Sequence, residues 1–277
     1  MGGMSGWLLA LDGNAGLHGW QWLFLVQGLP TVLVGLVVLR YLPDSPATVS
    51  WLSYEEKDWI QTELAREQAR IGEPAKHNVL AAFRNPRVLL LGLFGFLLIG
   101  VITTVSLNTP LILQDATALN AKTTGYVVAF GGLLGAAAIL FSGNYADRHG
   151  DRWGNAFWFC IVLAGALLVI GLAPSPMLVI IAYLVFATVC FTIPMLTSSG
   201  WAEVLHVREL AVGAAAINTI CQIGAFVAPY GWGIAKDATG SFQPALITLS
   251  IVALLMSTLL LLLRHQVRGR AILMATV

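Results

Sequence analysis

Charged residues are scarce in this sequence. They make up 10% of its 277 residues, whereas a soluble globular domain carries about 25%. Hydrophobic residues account for 57% of the chain, and the mean hydropathy is +0.79. So little charge cannot cover a water-facing surface. The composition therefore excludes an ordinary soluble domain and indicates a membrane protein whose apolar surface is solvated by the lipid bilayer.

Other classes of function are excluded by residues that are missing or scattered. A net charge of +1 predicts no nucleic-acid partner. No nucleophile–base constellation is present, so we predict that the protein is not an enzyme. The histidines are dispersed in loops or at helix ends, which predicts no metal site, and no cofactor is expected. The three cysteines lie inside apolar runs and are interpreted as packing residues; they are Cys160, Cys190 and Cys221.

Seven apolar stretches reach the roughly 20 residues that a membrane-spanning helix needs. They cover residues 20–42, 88–113, 123–146, 155–173, 177–199, 210–234 and 244–263. The apolar residues 1–11 are too few to span and are interpreted as the end of a further helix. We therefore predict an all-α, polytopic transmembrane helix bundle.

The basic residues predict the orientation of the helices, because Lys and Arg concentrate on the cytoplasmic side. If the loop after the first stretch is cytoplasmic, all 15 Lys and Arg residues except Lys122 and Lys236 fall on that side. The C-terminus is then cytoplasmic as well. The inside set is Arg40, Lys57, Arg66, Arg70, Lys76, Arg84, Arg87, Arg148, Arg152, Arg208, Arg264, Arg268 and Arg270.

The one long polar stretch, residues 43–86, is predicted to be a cytoplasmic linker that contains a charged helix. Ser53 and Glu56 have the spacing of a capping box at the start of that helix. We therefore predict that the chain has four parts: the end of an N-terminal bundle (1–42), the linker (43–86), a six-helix bundle (87–264) and a cytoplasmic tail (265–277).

One loop carries a specific motif. Gly143, Asp147, Arg148, Gly150 and Arg152 match the pattern G-x-x-x-D-R-x-G-x-R, the cytoplasmic loop motif of the major facilitator superfamily, and the loop falls on the predicted cytoplasmic side. Gly143 lets a neighbouring helix approach, and Asp147 is expected to face the positive N-terminus of another helix, near Glu209. In the family such a cluster is a latch that holds the cytoplasmic side closed. The alternative is that the two arginines only fix the topology.

The chain resembles one branch of this superfamily, the anion–cation symporters, in residues 19–30, 42–46, 51–56, 218–229 and 236–242. The resemblance numbers the seven stretches as the sixth to twelfth helices of a twelve-helix transporter, with residues 1–11 as the end of the fifth. It therefore implies a truncated major facilitator fold without most of its N-terminal bundle.

The resemblance also implies a function and a location. Members of the branch move small organic anions, such as tartrate, sugar acids and aromatic acids, together with a proton or a sodium ion. The resemblance places this chain in a bacterial inner membrane. The predicted stretches contain no deep carboxylate or arginine, and in this family those groups lie in the missing N-terminal helices. We therefore expect the fragment alone to be inactive. The alternative function is that of a non-transporting membrane protein, either a sensor or an inert truncated product.

Polar side chains near the middle of the helices are the candidates for anion binding. Asn218 lies at a family position with a cavity-facing asparagine, and Gln222 shares its helix face because the two are four residues apart. Asn108 and Ser198 are further candidates, next to helix-interrupting prolines. The alternative for each hydroxyl is a hydrogen bond to its own helix backbone.

Overall fold

The structure is a computed structural model that describes the backbone of residues 7–71, 82–205 and 209–275. Side chains are described for residues 7–69, 82–205 and 209–265. Every long element within these residues is a helix, which confirms the all-α prediction. The chain divides into two compact units, Met1–Ala75 and Lys76–Val277. The four-part division stays a prediction.

The first unit contains an apolar helix, α1 (Gly19–Tyr41), and a charged helix, α2 (Tyr54–Ile71). α1 begins where the Gln21 side chain accepts a hydrogen bond from the His18 backbone N–H (2.8 Å). Most of its apolar side chains are exposed and none is buried, as lipid solvation permits. Residues 7–9 are also helical, whereas residues 1–6 of the predicted preceding helix lie outside the described residues.

The predicted capping box at the start of α2 is confirmed. The Ser53 N–H donates to Glu56 Oε2 (2.9 Å), and the Glu56 N–H donates to Ser53 Oγ (3.2 Å). These bonds lower the pKa of the exposed Glu56 carboxyl. The hydrogen bond with the Ser53 backbone has the larger effect, and the hydrogen bond with the Ser53 side chain has the smaller one. The later part of the predicted linker, residues 72–81 with Lys76, lies outside the described residues.

The described residues of the second unit form seven further helices, of which one is a single turn. They are α3 (Pro86–Thr117), α4 (Ala121–His149), α5 (Arg152–Leu172), α6 (Pro176–Ser199), α7 (Trp201–Val204), α8 (Leu210–Thr239) and α9 (Gln243–Ala275). Arg208, which was expected on the cytoplasmic side, lies outside the described residues, as do the side chains of Arg268 and Arg270.

Local chemistry explains where these helices begin and end. Asn85, Asn120 and Asp151 lie before α3, α4 and α5, and each side chain accepts a backbone N–H of the first turn. Gly150 and Gly240 end α4 and α8 in the left-handed region, with φ of 68° and 69°, where glycine carries no steric penalty. Polar capping residues and glycines therefore determine where these helices begin and end.

Seven helices in the described part of the chain are long and apolar enough to cross a membrane, which confirms the predicted number. Most of them extend past the predicted apolar stretches. α3 continues from the predicted end at residue 113 to Thr117, and α9 continues past residue 263 to Ala275. Hydropathy marks where the side chains become polar, whereas the backbone stays helical until a cap or a turn stops it.

Small residues set how closely these helices pack. α8 packs along α3, α9 along α5, and α6 against both α4 and α5. A Cβ on Gly135 of α4 would lie 2.9 Å from the Ala187 carbonyl oxygen of α6. Gly224 of α8 lies against the backbone of Phe96 in α3 in the same way. Close approach of backbones is how spanning helices gain contact without a hydrophobic driving force.

Candidate functional site

The motif loop between α4 and α5 is only two residues long. Gly150 closes α4 with a positive φ, and Asp151 caps α5 by accepting the Gly154 N–H at 3.0 Å. Arg152 is then the first residue of α5. This short connection places the last turn of α4, with Asp147, beside the first turn of α5.

Arg152 joins three helix ends. Its guanidinium donates to Asp147 Oδ1 at 2.9 Å and to the Ser199 carbonyl at the end of α6 at 3.3 Å, and lies 3.9 Å from Glu203 Oε1 in α7. The Arg152 side chain is 29% exposed. A cation beside the free carbonyls of a helix C-terminus is electrostatically favourable. Arg152 is therefore a bridge within the second unit, in addition to a positive charge on the loop.

Asp147 was expected to face the N-terminus of the helix that begins near Glu209. In the described residues its partner is Arg152 instead, and Glu209 accepts a hydrogen bond from the Asn85 side chain at 3.3 Å. Asp147 lies at the negative C-terminal end of α4, where a nearby cation is the more favourable partner. Residues 206–208, just before α8, lie outside the described residues.

The other two motif residues differ in their surroundings. Gly143 faces the terminal methyl of Met195 in α6, which a Cβ would meet at an ordinary 3.4 Å. The predicted close approach is thus made by a flexible side chain rather than by backbone. Arg148 is exposed.

Four residues around this loop escaped the sequence reasoning: Asp151, Trp153, Glu203 and Arg264. The Trp153 indole donates to Glu203 Oε2 at 2.8 Å and packs across Gly200, whose Cβ would lie 2.6 Å from the ring. Arg264 of α9 forms an ion pair with Asp151. Three consecutive residues, 151–153, thus contact α4, α6, α7 and α9. The only sequence feature that could have indicated these contacts is that Glu203 and Arg264 lie near the ends of apolar stretches.

Asn218 and Gln222 form what we call the α8 amide face. Both side chains are exposed, and they lie one turn apart. The opposite side of α8, with Ile217, Cys221 and Gly224, is buried. Neither amide makes a side-chain hydrogen bond within the described residues. Each therefore offers both a donor and an acceptor to whatever meets this face.

Asn108 and Ser198 are placed differently. The Asn108 amide, half-buried in α3, donates to the Thr104 carbonyl of its own helix at 2.8 Å. The Ser198 hydroxyl, exposed on α6, donates to the Met195 carbonyl at 3.3 Å. No side-chain hydrogen bond joins any two of the four candidates in the described part of the chain. The structure brings Asn218 and Gln222 together and leaves the other two on separate helices.

Many hydroxyl groups of the spanning helices follow the backbone alternative, although the buried Ser250 of α9 donates to the Ala164 carbonyl of α5. They donate to a carbonyl three or four residues earlier in their own helix, as is usual in apolar surroundings. This group includes Thr104, Thr109, Thr192, Thr197, Ser199 and Thr219.

A bundle of apolar helices has a charged loop at one end and carries, within the described residues, two amides without a side-chain hydrogen bond on one face; these features define a polytopic membrane protein. The family profile described as Major Facilitator Superfamily matches residues 1–229. The chain belongs to the Major Facilitator Superfamily.

Curated relatives are named as transporters. The chain is 34% identical to a quinolone resistance transporter of Acinetobacter baumannii, over 91% of this chain and 58% of that protein. It is 34% identical to a putative tartrate transporter of Agrobacterium vitis, over 88% and 56%. It is 30% identical to the inner membrane transport protein RhmT of Escherichia coli, over 94% and 60%. These relatives belong to a non-enzyme family, which agrees with the prediction that the chain is not an enzyme. The chain spans between half and two thirds of the length of each.

Proposed function

We propose that this chain is part of a secondary active transporter that moves a small organic anion across the membrane together with a proton or a sodium ion. The observation that carries the proposal is the α8 amide face: its two amides form no side-chain hydrogen bond within the described residues, and amides in a membrane-spanning helix need a polar partner. A bound anion and the water of a transport cavity supply such partners. The likeness to a protein named as a putative tartrate transporter supports the same class of substrate.

Asn218 and Gln222 are proposed to bind the anion directly. An amide N–H donates to a carboxylate oxygen, and the amide oxygen accepts from a substrate hydroxyl. Asn108 and Ser198 are proposed as secondary contacts, since each side chain already donates one hydrogen bond to a carbonyl of its own helix. The side-chain oxygen of Asn108 remains available as an acceptor.

The motif residues Gly143, Asp147, Arg148, Gly150 and Arg152 are proposed to act in gating. The contacts of Arg152 with Asp147, Ser199 and Glu203 support a brace that keeps the ends of α4, α5, α6 and α7 together. Such a brace would let these helix ends move as one body when the cavity opens. Exposed Arg148 is the motif cation that is proposed to meet a group outside this brace.

The location and the partners complete the proposal. The distribution of Lys and Arg supports a cytoplasmic C-terminus, and the name of the Escherichia coli relative supports the inner membrane. Alternating access needs two bundles that rock about a site between them. We therefore propose that a further N-terminal bundle is required for transport, and that the four-part division of the chain follows that architecture.

Transport is tested with a fusion transporter, in which the part of the putative tartrate transporter of Agrobacterium vitis that this chain does not match is joined in front of it. The fusion is reconstituted into liposomes under an imposed proton or sodium gradient, and uptake of labelled tartrate, sugar acids and aromatic acids is measured. Gradient-dependent accumulation above empty liposomes is expected. If a correctly inserted fusion accumulates none of these anions, the result would favour the alternative function, that of a non-transporting membrane protein.

A further inference from the structure

Phe226 extends the α8 amide face by one more turn. It lies four residues after Gln222, just as Gln222 lies four residues after Asn218, so the three side chains are neighbours along the helix surface. The Phe226 side chain is 75% exposed, whereas Cys221 and Gly224 on the other side of α8 are buried against α3.

An exposed phenylalanine in a spanning helix is ordinarily solvated by lipid, so its neighbours decide its surroundings. The amides of Asn218 and Gln222 have no side-chain hydrogen bond within the described residues, and hydrocarbon is a costly environment for such groups. A helix face that presents amides to water or to a ligand presents the adjoining Phe226 ring to the same space.

The spacing suits a ligand with an acidic end and a flat end. Residues 222 and 226 are separated by a rise of about 6 Å along the helix. Aromatic rings attract one another with centroids about 4.5–7 Å apart, in offset or edge-to-face geometry. A carboxylate that accepts from the Gln222 amide thus carries an attached ring to within contact of Phe226.

We infer that Phe226 is a specificity-determining residue, which selects organic anions whose carboxylate is attached to a planar aromatic ring. The inference rests on the proposed function of the α8 amide face. Aliphatic carboxylates use the amides alone, whereas aromatic carboxylates also gain the contact between the rings.

The test compares benzoate with cyclohexanecarboxylate, which have the same charge and similar size and differ in the aromatic ring. Binding of each, and of tartrate, is titrated by ligand-observed NMR to the 277-residue chain in lipid nanodiscs that hold one copy each, with empty nanodiscs as the blank. The variants are Phe226→Leu, which removes the ring, and Phe226→Tyr, which keeps it. Val227→Leu is the matched control, since Val227 is exposed on a different side of the same helix.

The wild-type chain should bind benzoate more tightly than cyclohexanecarboxylate by about two- to tenfold, the range that a ring–ring contact supplies. Phe226→Leu should abolish this preference, while Phe226→Tyr and Val227→Leu should retain it. An equal affinity of the wild-type chain for the two acids, or a preference that survives Phe226→Leu, would overturn the inference and leave the proposed function standing. If tartrate and both acids all fail to bind, the α8 amide face itself is refuted, and the inference falls with it.

Discussion

Gly224 and Gly231 lie on the same helix, α8, and alanine should have opposite effects at the two positions. A Cβ on residue 224 would lie 2.7 Å from the carbonyl carbon and 2.8 Å from the Cα of Phe96, and closer still to its carbonyl oxygen. These are backbone atoms of α3, so no side chain can rotate away to relieve the overlap. A Cβ on residue 231 would meet no atom of the described residues within 4 Å.

The structure also gives the magnitude of the difference. To reach the 3.4 Å at which ordinary contact begins, α8 and α3 must separate along much of their shared length. Overpacking of this kind costs about 1–3 kcal/mol, and sometimes more. Both alanines gain about 1 kcal/mol of helix propensity, and that gain cancels in the comparison. Gly224→Ala should therefore be less stable than Gly231→Ala by at least about 1–3 kcal/mol.

The assay is equilibrium unfolding of the purified chain in mixed micelles of a mild detergent and sodium dodecyl sulfate, followed by tryptophan fluorescence. Gly231→Ala should match or exceed the wild-type stability, and Gly224→Ala should unfold at a lower fraction of sodium dodecyl sulfate. Equal stability of the two variants would refute the packing of α8 against the backbone of α3.

Three further predictions concern topology, gating and the need for a second bundle. A reporter fused after Arg70 should behave as cytoplasmic and one fused after Lys122 as external; the reverse pattern would show that the helices are oriented the other way. In the fusion transporter, Asp147→Ala should lower the rate of uptake at an unchanged membrane level, because Arg152 loses an ionic partner at 2.9 Å that is worth up to about 1 kcal/mol. Asp115→Ala, at the far end of α3, is the control, and equal rates for the two variants would support a purely topological role for the motif. The 277-residue chain alone should accumulate no anion in liposomes, and uptake by it would show that one bundle is sufficient.

Elements that depend on neighbours in sequence could be predicted from the sequence. The seven spans follow from the length of the apolar runs, and the Ser53–Glu56 capping box follows from a spacing of three residues. The ends of α3 and α9 were underestimated, because α3 continues into polar sequence as far as its C-cap at Ala118 and α9 stays helical through the mostly polar residues 264–270.

Contacts between distant residues could not be predicted in the same way. The Asp151–Arg264 ion pair joins residues 113 apart, and the Trp153–Glu203 hydrogen bond joins residues 50 apart. Local pattern also does not distinguish Gly224, which lies against a backbone, from Gly231, which faces open space. For the same reason the pairing of Asp147 with Arg152 was not anticipated, since the sequence does not show which charge lies nearest in space.

The α8 amide face is tested most directly by the Michaelis constant for anion uptake in the fusion transporter with Asn218→Ala and with Thr219→Val. The Thr219 hydroxyl donates to the Ala215 carbonyl of its own helix at 2.9 Å, so its removal should leave the Michaelis constant unchanged. Loss of a hydrogen bond to a charged group costs about 1.5–3 kcal/mol, so Asn218→Ala should raise the constant by roughly tenfold to a hundredfold. Saturable uptake with the wild-type Michaelis constant in Asn218→Ala would contradict the proposal that this face binds the anion.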